Sequence, residues 1–267
     1  MLDIFRQMGY KGNRRDAERE ENTMKWGSFG AVHLASLAIA ALLVVGLYFA
    51  LKKANIKVKT AVLGLLSFSG LAAIIFNLVT WNSPLEYLPL HLCSLNALVL
   101  PVAVFTRNKT LSNLLLLWSL GALAALVVNT AQAEFVLMSP TFCFYFFPHV
   151  LEFAIPILLF KLDMVKKDPK CIVSTLLITV VSYTLIHFFN LWLNGYCAAN
   201  QLLNSAGEVV TVNYMYSLVP ENPLLALFYS VIPHSYWYMF LIFPIVAVYL
   251  LLVYLPQILA ARKKAAV

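Results

Sequence analysis

"LPLHLCSLNALVLPVAVFT", Leu88–Thr106, decides how the whole chain is read. Its apolar content and length match a bilayer-crossing run of about 20 residues, yet Pro89, His91, Cys93 and Asn96 crowd its first half. Ionisable groups in hydrocarbon cost several kcal/mol and normally face a cavity or a partner. The stretch therefore predicts a membrane helix whose entrance borders something polar.

Comparable runs fill the rest of the chain. Of its 267 residues, 61% are hydrophobic and 12% charged, which excludes a soluble domain with an ordinary polar surface. Apolar runs between charge groups predict an all-α, polytopic membrane protein, a bundle of seven transmembrane helices: Ser28–Leu51, Thr60–Thr80, Leu88–Thr106, Leu111–Thr130, Thr141–Lys161, Cys171–Asn194 and Tyr236–Leu255. The expected division is a 1–27 extracytoplasmic segment, a 28–260 membrane domain containing a 195–235 outer lid or re-entrant connection, and a 261–267 basic tail. The charged N-terminus lacks the apolar segment of a cleavable signal, so the first span is expected to remain.

A net charge of +7 would suggest nucleic acid in a soluble protein; here its placement speaks of topology, and no nucleic acid is expected. Lys52, Lys53, Lys57 and Lys59 fill the first connection, Arg107 and Lys109 the third, Lys161, Lys166, Lys167 and Lys170 the fifth, and Arg262, Lys263 and Lys264 the tail. The other connections carry no Lys or Arg. This alternation predicts a cytoplasmic C-terminus, with the N-terminus outside. The mixed-charge N-terminal segment is the one feature against it.

In that orientation all five histidines, His33, His91, His149, His187 and His234, lie toward the outer side, joined by Asn77, Asn96, Asn129, Glu152, Asn190 and Asn194. The pattern predicts an outward-facing, His-rich pocket. His149 and Glu152 are three residues apart, as are His187 and Asn190, so each pair shares a helix face. On a continuous helix His91 and Cys93 would diverge by about 200°. Cys93 would then take its base from another span, and His91 is the better candidate to face the pocket. The four cysteines show no CxxC spacing and read first as small buried residues.

"LPLHLCSLNALVLP", "FFPHVLE", the span carrying Asn190, "NYMYSLVPENPLLALF" and "SYWYMFLIFPIVAVYLLLVYLP" together resemble the YwaF-type bacterial integral membrane family, grouped with eukaryotic transmembrane protein 164. The resemblance runs from about the second span to the end. It implies a multi-pass protein of the bacterial plasma membrane and, from the eukaryotic branch, an acyltransferase that moves fatty acyl chains between phospholipids through a cysteine, here Cys93. The chain departs from the expected pattern at Ser94, Glu221 and Asn222, and its sixth connection is extended by "CAANQLLNSAGEVV".

Three chemistries follow. In acyl transfer, Cys93 attacks a lipid ester, His149 or His187 moves the proton, Asn190 donates to the oxyanion, and His91 and Glu152 complete the site. Membrane phospholipids are then the partners, without a cofactor; Asn213 and Tyr214 of the outer motif are candidates for substrate binding. In metal-dependent lipid hydrolysis, His91, His149, Glu152 and His187 would hold zinc, although their spacing matches no metal motif. In a carrier or sensor of protons or a small solute, the same groups would line a relay, but the inner halves lack an equivalent polar track. No protein partner is inferable.

Overall fold

A computed structural model describes residues 24–81, 83–128 and 132–265. The expectations for residues 1–23, for Asn129 and for the side chains of the basic tail lie outside the described residues. The described chain is helical, with two isolated bridges, Lys25 to Val136 and Leu203 to Val209, and no strand among those residues. The long helices are α1 (Ala31–Lys52), α2 (Ile56–Ser67), α3 (Ser69–Thr80), α4 (Leu92–Thr106), α5 (Lys109–Val127), α6 (Pro140–Lys161) and α7 (Cys171–Ala199). A nine-residue α8 (Pro223–Val231) and a 3-10 turn (Trp237–Ile242) lead into α9 (Phe243–Ala265).

Among the described residues six units are long and apolar enough to cross a membrane, the α2–α3 pair counting as one. The Leu88–Thr106 run, expected to be a seventh, differs. Only Leu92–Thr106 is helical, 15 residues against the roughly 20 that a crossing needs. Pro84 and Pro89 bias the residues before them away from helix, and the chain stays irregular until His91, whose extended backbone (ψ 156°) caps α4. His91 thus stands outside the helix, and an angular separation from Cys93 around α4 does not apply to it.

The remaining boundaries have local causes. Asn55, Asn108, Ser139 and Asn222 each accept a backbone N–H two or three residues into the helix they cap. The second span starts at Ile56 rather than Thr60 and bends at Phe68, inside a Ser67–Phe68–Ser69–Gly70 sequence of the kind that kinks helices. The bend carries two glycines against α4. A Cβ on Gly64 would lie 2.5 Å from the Phe105 ring, and one on Gly70 would lie 2.5 Å from Ala97 Cβ. Helix α7 has 29 residues, about 44 Å at 1.5 Å per residue, and so outruns a hydrocarbon layer of about 30 Å.

Helices α5 and α6 form the centre. Their apolar windows are 56% buried, against 11% for α1 and α7, which present most of their surface outward. A core of Leu114–Leu117, Ile155, Leu158 and Leu159 joins this hairpin to α4 and α9. Tyr254 of α9 donates to Asn113 Oδ1 at 2.5 Å, and Tyr249 donates to the Leu116 carbonyl at 2.6 Å. The connection expected as a lid is built otherwise at its start, because residues 195–199 continue α7. Beyond it the chain returns along the bundle, with Val210, Val212, Tyr214 and Met215 packed on Ile186, Leu193 and Cys197.

Candidate functional site

The site is built from α6 outward. Pro156 has no N–H, so the carbonyl of Glu152, four residues earlier, loses its helical donor. Asn96 of α4 approaches that carbonyl, its Nδ2 at 3.5 Å. One turn earlier on the same face, His149 Nδ1 lies 2.6 Å from the Tyr145 carbonyl. A carbonyl only accepts, so Nδ1 carries the proton and Nε2 is left with a free lone pair. The Tyr145 ring lies against the imidazole, centroids 4.4 Å apart, while its hydroxyl donates to the Ala125 carbonyl at 2.9 Å.

Glu152 is 3% exposed, and its Oε2 has no hydrogen-bond partner among the described residues; the same holds for Oδ1 of Asn96, 1% exposed. Native proteins leave few buried polar atoms in this condition, and those that remain call for an explanation. Gly70 of α3 faces the same point: a Cβ there would come to 3.0 Å of Glu152 Oε1. Three helices thus converge on a carboxyl that their own side chains do not satisfy.

The Cys93 thiol, in the first turn of α4, lies within electrostatic reach of Glu152, Tyr145 and Tyr216. Cys93, His91, Tyr145 and Tyr216 are each partly exposed. With His149 and Glu152 they form one cluster around the start of α4, the thiol cleft. His91 stands at its rim. Its Nδ1 accepts a long bond of 3.4 Å from the Met215 N–H, which places the ring proton on Nε2, and its ring packs against Tyr214 and Tyr216 at 5.3 and 5.4 Å.

His187 and Asn190 belong to a second set of contacts. Asn190, fully buried, donates to the Tyr214 carbonyl (2.8 Å) and to Ser217 Oγ (2.9 Å) and accepts from the Tyr214 N–H (3.1 Å). One turn on, Asn194 exchanges bonds of 2.9 and 2.7 Å with Val212. His187 Nδ1 lies 3.1 Å from Ser217 Oγ. The shared face of α7 therefore clasps residues 212–217. Both amide protons of Asn190 are consumed, which leaves none for an oxyanion. The serine–histidine contact offers no nucleophile to a substrate, because Ser217 is fully buried.

The two outer-motif candidates are likewise committed. Asn213 donates to Val219 and Glu221 and accepts from Leu218 and Val219, stapling its own loop. Tyr214, 1% exposed, donates its hydroxyl to the Leu85 carbonyl. Tyr216, two residues on and not singled out by the sequence, is the motif's contribution to the cleft. Met215 and Tyr216 take left-handed backbone (φ 55° and 54°), and the Tyr216 hydroxyl makes no hydrogen bond within the described residues.

No group of three or more His, Cys, Asp or Glu among the described residues is placed to hold a metal ion. His91, His149, Glu152 and His187 are not brought together as zinc ligands: His91 and His187 turn to the 212–217 loop, and His149 is held to the Tyr145 carbonyl of its own helix. His33 bridges the Phe29 N–H and the Leu126 carbonyl, and His234 is exposed.

The TMEM164 family model matches residues 28–255, which takes in every residue of the cleft. The chain belongs to the TMEM164 family. No curated protein and no solved structure matches it. Membership and the apolar helices make this TMEM164-family chain a multi-pass membrane protein.

Proposed function

We propose that this TMEM164-family protein is a phospholipid acyltransferase that carries the acyl group on Cys93. The observation that supports this reading most is the cluster around Glu152, whose buried carboxyl has an unsatisfied oxygen and lies within electrostatic reach of both the partly exposed Cys93 thiol and His149, a histidine with a free Nε2. Proton transfer passes from Cys93 Sγ to His149 Nε2, directly or through one water. The thiolate attacks the ester carbonyl carbon of a phospholipid. The ester C–O bond breaks, the His149 imidazolium protonates the departing glycerol oxygen, and a lysophospholipid leaves an acyl thioester on Cys93. A hydroxyl of a second lysolipid then gives its proton to His149 and attacks the thioester, which restores the thiol.

Charge develops on the carbonyl oxygen in both halves. The unengaged Tyr216 hydroxyl and the His91 Nε2–H are the donors suited to it, in an enclosed setting where such bonds count for more than in water. Glu152, three residues from His149 on the same face, is the acidic group within electrostatic reach of the imidazolium formed between the two transfers. With phospholipid as donor, neither a nucleotide nor coenzyme A is required.

Purified protein in nanodiscs, given a phospholipid labelled in its acyl chain and an unlabelled lysophospholipid, tests the reading. Label should appear in the acceptor with wild type and not with Cys93→Ala or His149→Ala of equal thermal stability. Equal transfer by wild type and Cys93→Ala would refute it.

A further inference from the structure

At the opposite end of α4 a shallow, largely open cleft of about 350 Å³ lies between α2 and α4, lined by Ile56, Lys57, Thr60, Ala61, Phe105 and Arg107. Its volume lies within the range of ligand pockets. Arg107 is fourteen residues beyond Cys93, about 21 Å along α4, so this space is separate from the thiol cleft and owes nothing to the reading above.

Two cations from different helices flank it, and neither has an ion-pair partner among the described residues. Three lysines at this end are engaged. Lys59 donates to the Leu162 carbonyl, Lys167 to the Val253 carbonyl, and Lys109 pairs with Asp168 at 2.6 Å. Among the described residues Lys57 and Arg107 make no such bond, nor do Lys53, Lys161, Lys166 and Lys170, but Lys57 and Arg107 are the two that line the cleft.

Arg107 also occupies a costly conformation. It closes α4 with left-handed backbone (φ 53°, ψ 31°), where glycine or asparagine fits with less strain. Below the cations the surface is apolar and uncovered: Phe105, Val102, Phe68 and Leu65 are 50%, 49%, 45% and 75% exposed. Two cations and the Thr60 hydroxyl in one lining, next to exposed apolar side chains, match one ligand class.

We propose that the α2–α4 cleft binds an anionic phospholipid, with its phosphate between Lys57 and Arg107, hydrogen-bonded by Thr60, and its acyl chains along Phe105 and Phe68. Basic pockets between membrane helices take anionic headgroups in this way. Charge complementarity favours an anionic lipid over a zwitterionic one, whose amine would add a like charge to the mouth.

The test is native mass spectrometry of delipidated protein titrated with phosphatidylglycerol and with phosphatidylcholine. At about 1 kcal/mol per cation, the two should confer a preference for phosphatidylglycerol of roughly tenfold or more. Arg107→Gly removes the guanidinium while relieving the left-handed backbone, so its thermal stability should hold or rise as the preference falls. Lys57→Gln, at an exposed position, should lower it independently, and the pair together should bring it within about twofold. Lys52→Gln with Lys53→Gln removes the same charge outside the cleft lining and should leave it intact. Three results would overturn the proposal: no preference in wild type, an equal fall in the Lys52/Lys53 control, or competition by free glycerol phosphate as strong as by the lipid, which would make the ligand a soluble anion.

Discussion

Helices α6 and α7 carry the same device in sequence, a histidine followed three residues later by a polar side chain, and put it to opposite uses. On α7 the His187–Asn190 face is spent on the chain's own loop: every amide atom of Asn190 is paired, and Ser217 and Tyr214 take the bonds. On α6 the His149–Glu152 face meets a cleft, and the carboxyl keeps an oxygen without a partner. A satisfied polar cluster rigidifies; an unsatisfied one holds capacity for something else. Identical spacing does not separate the two, and the hydrogen-bond count does.

Substitutions on the two faces should therefore fail in different ways. The largest effect belongs to Cys93→Ala, which removes the group proposed to carry the acyl chain. Transfer should fall by about 10⁴-fold, roughly 5 kcal/mol of barrier, while the unfolding temperature in detergent moves little. Asn190→Ala should do the reverse. It strands the buried Tyr214 N–H and leaves the Tyr214 carbonyl and the Ser217 hydroxyl with one partner each, so about 2 kcal/mol of stability should go; an unchanged melting profile would break the contrast between the faces.

Tyr216→Phe sharpens it from the loop side. This change keeps the ring against His91 and deletes only the free hydroxyl, so kcat should drop about 10²-fold, near 2.7 kcal/mol, with stability preserved. Loss of stability without loss of kcat would return Tyr216 to the clasp. The smallest effect is expected at Gly70→Ala, whose Cβ must displace Ala97 and approach Glu152 Oε1. It should cost about 1–2 kcal/mol by overpacking and reduce transfer by moving α3 from the carboxyl; activity and stability both at the wild-type level would show that the three-helix convergence is loose.

Much of this was legible beforehand because it is local. Apolar length marks α1, α5, α6, α7 and α9, and the i, i+3 spacing places His149 beside Glu152 on one face. What depended on distant partners was not legible. Asn190 finds Tyr214 and Ser217 only because the chain returns 24 and 27 residues later, and nothing near Asn190 announces it. The Leu88–Thr106 run reads as a full span by hydropathy, although Pro84 and Pro89 already argued against helix before His91 and marked the shorter α4.

Within the motif "NYMYS" it is Tyr216, and not the expected Asn213 or Tyr214, that joins the cleft, and the backbone conformation decides this. Two successive left-handed residues are not readable from Met and Tyr, which seldom adopt them. The role of Asn96 was open to inference: Pro156 frees the Glu152 carbonyl by rule, and an unserved carbonyl in a membrane helix asks for a donor from a neighbour.

The central claim, that Cys93 holds the acyl chain, is tested most directly by intact-protein mass spectrometry. Wild type incubated with a single phospholipid species and no acceptor should gain the mass of one acyl group, mapped to Cys93 by digestion and released by hydroxylamine, with no gain in Cys93→Ala. An adduct on Cys143, Cys171 or Cys197 instead, or undiminished acyl transfer by Cys93→Ala, would contradict the account.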